Sequence, residues 1–355
     1  EQEAEDALET LRERIRRLDL ELVAKAAERI DLARRIGESK RRQRLGTVDY
    51  AQERAVLLRA REAALAQGID PRVAEDLLAS LIRASVSAQD EDRLRVEAAG
   101  AGKTAVLFGG AGRMGRWMGR FLAAQGYTVG SVDPAAPAEA WAGQHVATAD
   151  LVLCATPPSA TADLYREWTS HPPAGVVADI SSIKGPILDP IRELQRAGGH
   201  VASMHPMFGP SIVLLRDADV VICDTGDAEA TRTVESLFEP TTARLVRVPL
   251  EEHDRIMADL LSLAHATAIA FALALPESEH PVRSTTFQAL ESLAARVVRE
   301  SPDVYYEIQA KNAYSKAALL RLRAALERLV SAVSANDAAG FRDLLEEGRR
   351  RTPEI

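Results

Sequence analysis

Residues 200–212, His-Val-Ala-Ser-Met-His-Pro-Met-Phe-Gly-Pro-Ser-Ile, hold the most chemically suggestive histidine of the chain. An apolar run ends at Met204 and His205 follows at once, braced by Pro206 and by a Phe208-Gly209-Pro210 turn. Proline fixes φ and glycine permits positive φ, so the backbone around His205 is restricted. An imidazole at the carboxyl end of a strand, downstream of a glycine-rich nucleotide loop, is placed to act as a general base. A histidine satisfied within its own turn is the plainer reading of this segment alone.

The glycine-rich loop lies earlier. The run Thr104–Phe108 leads into Gly109-Gly110-Ala111-Gly112-Arg113-Met114-Gly115, then into a helical pattern with Trp117, Met118, Phe121 and Leu122. Gly110, Gly112 and Gly115 form G-x-G-x-x-G between a strand and a helix. In that setting the glycines serve a tight turn, approach to a pyrophosphate and helix–sheet packing. The helix start offers free N–H groups and a positive dipole end to phosphates. The next strand ends in Asp133, at the spacing of a carboxylate that binds the adenosine ribose hydroxyls. It favours NAD over NADP, although Arg113 could still hold a phosphate. Gly110, Gly112, Arg113, Met114, Gly115 and Asp133 are therefore the cofactor-binding candidates. No metal site is expected.

These residues need a frame. At 355 residues the chain is too long for one ordinary core, and two or three domains are expected. A hydrophobic share of 46% with 27% charged residues reads as soluble and globular. A net charge of −8 argues against nucleic acid as a partner. Cys154 and Cys223 each sit in an apolar run and read as reduced core thiols. The acidic start shows no signal peptide, and Leu260–Leu275 falls short of a membrane span, so it reads as a buried helix in a cytoplasmic protein.

Residues 5–98 read as all helix. Leu8, Leu11, Ile15, Leu18 and Leu22 follow three–four spacing, an apolar seam on a helix running to about Arg42. A second helix covers Tyr50 to Gln67. Asp70-Pro71 opens a third that runs to about Asp92. Three helices enclose little core alone, and pairing with a second copy would bury the seam. Residues 98–102 read as a linker. Strand-length runs follow at Thr104–Phe108, Thr128–Val132, Leu151–Ala155, Val176–Ile180, Val201–Met204, Val220–Cys223 and Leu245–Val248, alternating with helices, which predicts a mostly parallel, doubly wound sheet. Helical period returns from Glu251.

Asp179-Ile180-Ser181-Ser182-Ile183-Lys184-Gly185-Pro186, taken with His-Pro-Met-Phe-Gly-Pro, resembles the prephenate dehydrogenase family over residues 103–315. The resemblance implies oxidative decarboxylation of prephenate to 4-hydroxyphenylpyruvate, with NAD taking the hydride and neutral His205 the hydroxyl proton. It maps a serine near the hydroxyl onto Ser182, whose alternative reading is a helix N-cap. It also maps a carboxylate-binding arginine onto Arg296, which lies in an apolar surrounding from which it could instead snorkel to the surface. His253, in Glu251-Glu252-His253-Asp254, is favoured near the site. His265, twelve residues on and about 120° round the helix, is given less weight. Some relatives carry arginine where this chain has Gln288 and histidine where it has Ser159.

Residues 5–92 resemble the all-helical chorismate mutases through Leu11-Arg12-Glu13-Arg14-Ile15 and the stretch Ala27–Lys40. Arg29 and Lys40 are eleven residues apart, about 1100°, and so share a face set into the apolar stripe. Arg12 is about 100° away and suits the pocket of a partner subunit. By resemblance Arg12 and Arg29 hold the chorismate carboxylates, Lys40 and Gln89 donate to the ether oxygen, and Glu53 accepts from the ring hydroxyl. Asp49 and Ser85 are further contacts. Gln52 stands where many relatives have arginine. Positioning and charge stabilisation suffice for a Claisen rearrangement.

The resulting expectation is multidomain. Residues 1–98 form an all-α chorismate mutase domain, 99–249 an α/β doubly wound NAD-binding domain, and 250–355 an all-α dimerisation domain. The expected protein is a cytoplasmic homodimer that acts on chorismate and prephenate on the route to tyrosine. The family is often inhibited by tyrosine, a candidate effector whose site no residue marks. Rival readings are a dehydrogenase for arogenate, an N-terminal helical module that only dimerises or senses, and another member of the wider hydroxyacid or imine reductase group.

Overall fold

The structure is a computed structural model that describes residues 2–43, 45–46, 49–97, 99–135, 144–212, 215–216, 218–276 and 282–352. Three helices come first: α1 (Gln2–Arg42), α2 (Tyr50–Ala66) and α3 (Pro71–Glu97). Asp70 Oδ1 accepts from Arg72 N at 3.0 Å beside Pro71, so the third helix starts on the expected carboxylate. α1 and α3 pack closely at Gly37, where a Cβ would come within 2.8 Å of Gln89 Cγ. The apolar seam of α1 stays uncovered in the single chain: Leu11, Ile15, Leu18 and Leu22 are all exposed.

A seven-stranded sheet follows in the order β2-β1-β3-β4-β5-β6-β7. Its strands are β1 (Thr104–Phe108), β2 (Thr128–Val132), β3 (Leu151–Cys154), β4 (Val176–Asp179), β5 (His200–Pro206), β6 (Asp219–Asp224) and β7 (Arg244–Pro249). The first five run parallel; β6 turns antiparallel to β5 and carries β7 with it. Strand order reverses at β1, so a crevice opens between the carboxyl ends of β1 and β3. Ala105 and Leu107 enter one core and Val106 the other, the period-two alternation of a strand buried on both faces. On the first face Leu94 of α3 joins Phe121 and Phe238, so the N-terminal helices dock on the sheet through the same core.

Two expectations need correction. His205 does not follow a strand that ends at Met204. It lies inside β5, opposite Val221 of β6, because the antiparallel partner extends the ladder to Pro206. The stretch Leu260–Leu275 is not a buried helix. It runs through a π-helical turn (Ala258–Leu263) into α9 (Ala264–Ala274), and Leu260 and Leu273 are 55% and 82% exposed. His253–Ala274 is the one helical stretch among the described residues long and apolar enough to cross a membrane. Composition gave its apolarity, but other elements of the single chain cover only a narrow stripe of it. The remaining helices are α4 (Arg113–Ala124), α5 (Pro158–Trp168), α6 (Leu188–Arg196), α7 (Ala228–Ser236), α8 (His253–Met257), α10 (Thr285–Val298), α11 (Pro302–Lys311), α12 (Ser315–Ser334) and α13 (Ala338–Arg351).

The loop after β1 is built on close backbone approach. Gly109 has φ of 78°, and a Cβ there would lie 2.6 Å from Ala155 O. A Cβ on Gly115 would collide with Gly109 O. Gly115→Ala should therefore cost about 1–3 kcal/mol by overpacking. A thermal melt checks this, and an unchanged Tm would contradict the packing.

Candidate active site

Register aligns Phe108, Cys154, Asp179 and Ser203 across four neighbouring strands. The glycine loop, the 180–186 segment and His205 therefore emerge on one edge of the sheet. His205 is buried, and its Nδ1 lies 3.0 Å from His253 Nε2. His253 Nδ1 lies 2.9 Å from Asp254 Oδ1. A carboxylate only accepts, so His253 carries its proton on Nδ1 and its Nε2 is an acceptor. His205 must then donate from Nδ1, which leaves its Nε2 as the basic nitrogen. Burial first, then the neighbouring His253 and Lys184, holds the His205 pKa well below the usual histidine value. Burial also lowers His253, against the opposing pull of Asp254. Both rings are neutral at pH 7.

Asp254 joins two regions of the chain. It sits in α8, yet its Oδ1 accepts from Lys184 N at 2.6 Å and its Oδ2 from Gly185 N at 2.7 Å. Asn312 Nδ2 donates to its carbonyl at 2.7 Å. Burial pushes its pKa up, but the bonds from His253 and the two amides outweigh that and hold it below the usual carboxylate value. Lys184 is fully buried. Its ammonium donates to Asp179 Oδ1 at 2.7 Å and to Met204 O at 2.9 Å, which ties β4 to the strand that carries His205. Ser182 is half-buried and caps no helix, since Lys184 stands at the head of the next turn, Gly185–Ile187. Phe208 packs on Trp117 of α4 with ring centroids 5.1 Å apart, which fixes the loop after His205 against the nucleotide helix.

On the cofactor side, Gly112 stands at the N-terminus of α4, and a Cβ on Gly110 would collide with Ser131 Oγ. Asp133 Oδ2 accepts from Ala111 N at 2.9 Å, so this carboxylate lies against the glycine loop. Such a loop, with bare amides at a helix start and a carboxylate beside it, fits a dinucleotide. Met114 is half-buried against the core. Arg113 Nη1 donates to both carboxylate oxygens of Glu300, at 2.8 and 2.7 Å, and so points to the C-terminal helices. His265 packs its ring on Tyr305 at 4.5 Å and makes no hydrogen bond to His205. Arg296 is exposed on α10 in the single chain.

The N-terminal helices hold a second cluster. Arg29 Nη1 donates to Ser85 Oγ at 2.7 Å and to Leu81 O at 3.0 Å, so a guanidinium from α1 is set into α3. Gln89 Nε2 donates to Ala33 O at 2.7 Å. Lys40 is half-buried near the end of α1. Asp49 caps α2 by accepting from Gln52 N. Arg12 is exposed and pairs with Glu9 at 3.5 Å. Glu53 is forked by Arg216, a residue between β5 and β6 that no pattern in the sequence singles out. Sequence reasoning also misses the roles of Asp254, Lys184 and Asp179 in ordering the histidines. The D-x-x-S-x-K spacing and the His253-Asp254 pair are their only signals. Cys154 and Cys223 are buried and unpaired; burial pushes the Cys223 thiol up to about 12.

Comparison with known proteins finds three family matches along the chain. The family description "Chorismate mutase type II" matches residues 11–90, "Prephenate dehydrogenase, nucleotide-binding domain" residues 123–247, and "Prephenate dehydrogenase, dimerization domain" residues 249–347. A T-protein of Enterobacter agglomerans is 28% identical over 85% of this chain and 81% of its own length. A 4-amino-4-deoxyprephenate dehydrogenase of Streptomyces pristinaespiralis is 30% identical over 69% of this chain and 89% of its own. The crystal structure of a prephenate dehydrogenase from A. aeolicus, in complex with hydroxyphenyl propionate and NAD+, shares the fold at 16% identity. It has a TM-score of 0.54 and covers 70% of this chain and 96% of that one.

Asp254→Asn places an amide among three converging donors and removes the charge that orders His253. Turnover by the His205 site should fall about 10²-fold or more, measured as steady-state kcat. In the unaltered protein that activity should persist at pH 6.5 and fail only at lower pH, because His205 protonates below the ordinary value. A pH–rate profile with its acid limb at or above 6.5 would contradict the assignment.

Proposed function

The chain belongs to the prephenate dehydrogenase family and carries a type II chorismate mutase domain ahead of it, and we propose how its residues divide the two reactions. It is a bifunctional enzyme of tyrosine biosynthesis that rearranges chorismate to prephenate and, with NAD, oxidatively decarboxylates prephenate to 4-hydroxyphenylpyruvate. We take residues 1–98, 99–249 and 250–355 as its three domains.

When bound over the glycine loop, NAD supplies the hydride acceptor. The protein's part is proton transfer and placement. His205 Nε2 takes the proton of the ring hydroxyl as that carbon loses hydride and becomes a carbonyl. The ring carboxylate leaves as CO2, and its bonding pair completes the aromatic ring. The phenolate oxygen then recovers a proton from His205. Asp254 and His253 hold His205 in the tautomer with Nε2 bare, and Ser182, half-buried on the same sheet edge, is to receive the hydroxyl. Gly110, Gly112, Met114 and Gly115 shape the phosphate turn, Asp133 serves the ribose, and Arg113 reaches the phosphate edge on leaving Glu300. Arg296 and His265 line the side-chain end of the substrate.

In the mutase, Arg29 and the partner's copy of Arg12 bind the two carboxylates. Lys40 and Gln89 donate to the ether oxygen as its bond breaks, Glu53 accepts from the ring hydroxyl, and Asp49 and Ser85 support them. No nucleophile is needed. This arrangement calls for a homodimer, and the uncovered seam of α1 and the apolar face of residues 260–273 support one. We assign the enzyme to the cytoplasm, supported by two buried unpaired thiols. Tyrosine is proposed as an effector on family resemblance alone.

The observation that carries the dehydrogenase reading is the chain of hydrogen bonds from Asp254 through His253 to His205. His205→Asn, supplied with chorismate and NAD, should accumulate prephenate while NADH formation falls about 10²–10⁴-fold. NADH formation at the wild-type rate would show that another group is the base.

A further inference from the structure

The mutase cluster has an unexpected neighbour from another domain. Arg216 Nη1 donates to Glu53 Oε1 at 2.9 Å and Nη2 to Glu53 Oε2 at 2.6 Å, a two-pronged fork. The pair is secluded: the arginine side chain is 13% exposed and the glutamate 19%. The guanidinium carbon also lies 5.8 Å from the ring centre of Tyr50, one turn before Glu53 on α2. A second tie lies beside Gln89. Asp90 Oδ2 accepts from Thr242 N at 3.1 Å and from Thr242 Oγ1 at 2.5 Å, so α3 is pinned to the sheet domain next to a pocket residue. Leu94 buries itself in the sheet-domain core one turn further on.

Resting on the mutase reading above, we propose that Arg216 of the dehydrogenase domain is a positioning residue of the chorismate mutase site. The geometry leaves Glu53 able to work. A carboxylate has about four lone-pair sites, and a fork–fork contact uses one on each oxygen. The outer lone pairs remain for a ring hydroxyl. Without the fork, Glu53 is a flexible side chain on an exposed helix, free to rotate into solvent. With it, two parallel charge-assisted bonds fix both oxygens in one plane. Lysine cannot reproduce that planar fork. The mutase pocket of this chain is therefore completed by the domain that consumes its product, through a residue on the connection between β6 and β5, the strand that carries His205. Arg216 touches Glu53 rather than substrate, so it acts through that carboxylate.

The test uses the full-length chain and assays each activity alone: loss of chorismate, and NADH formation from added prephenate. Arg216→Ala should lower mutase kcat/KM about tenfold or more, the scale of one charge-assisted contact. It should leave kcat/KM for prephenate oxidation within about twofold, since a misfolded chain would lose both. Arg216→Lys should not restore the mutase. In a Glu53→Gln background, Arg216→Ala should cost less than about twofold further, because a positioning residue has nothing left to position. Two results would overturn the proposal: full mutase activity in Arg216→Ala, or losses that multiply in the double variant. Absence of mutase activity from the wild-type chain would instead remove the parent reading, and this proposal with it.

Discussion

A carboxylate taken out of water survives ionised only where donors replace the solvent, and Asp254 is given three. Two are backbone amides of residues 184 and 185, and the third is His253. The same side chain therefore fixes the path of the segment after β4, the proton position on His253, and through it the proton position on His205. Hydrogen bonds to charged groups contribute about 1.5–3 kcal/mol each, enough to make this one arrangement dominant. Asp254 belongs to the C-terminal helices while both amides belong to the sheet domain, so docking of the two regions and ordering of the base are one event. The buried Lys184–Asp179 pair extends the network to Met204 O, within the strand that bears His205.

The sheet converts this network into a site by register alone. Four strands come level at Phe108, Cys154, Asp179 and Ser203, so the residues beyond those positions share an edge. The glycine loop supplies amides there, and the crevice at the strand-order reversal supplies room. Phe208 against Trp117 then holds the loop after His205 to the helix that starts at the glycines.

Much of this could be read from residue order. Strand β1 has the expected ends because a strand buried on both faces is written as a nearly unbroken apolar run. β5 outruns its apolar run because β6 pairs antiparallel with His205 and Pro206, and a histidine followed by proline gives no strand signal. The stretch 260–275 misled for a different reason: apolarity marks a surface to be covered without saying whether the same chain covers it. The glycine motif, His205 and the spacing of Arg29 and Lys40 were legible because their chemistry requires particular residues at particular intervals. Asp254 was visible only as a neighbour of His253, since its amide partners are seventy positions away. Arg216 was invisible, because a lone arginine in a loop has no period and its partner lies 163 positions earlier.

The central claim is that burial keeps His205 neutral, while the carboxylate two bonds behind it sets its proton on Nδ1 and leaves Nε2 bare. Nitrogen NMR of the protein labelled in its histidines measures this directly. The account predicts that His205 shows the Nδ1-protonated neutral ring and keeps that signature as pH falls through 6.5. A ring that becomes imidazolium at or above that pH, or that carries its proton on Nε2, would contradict it.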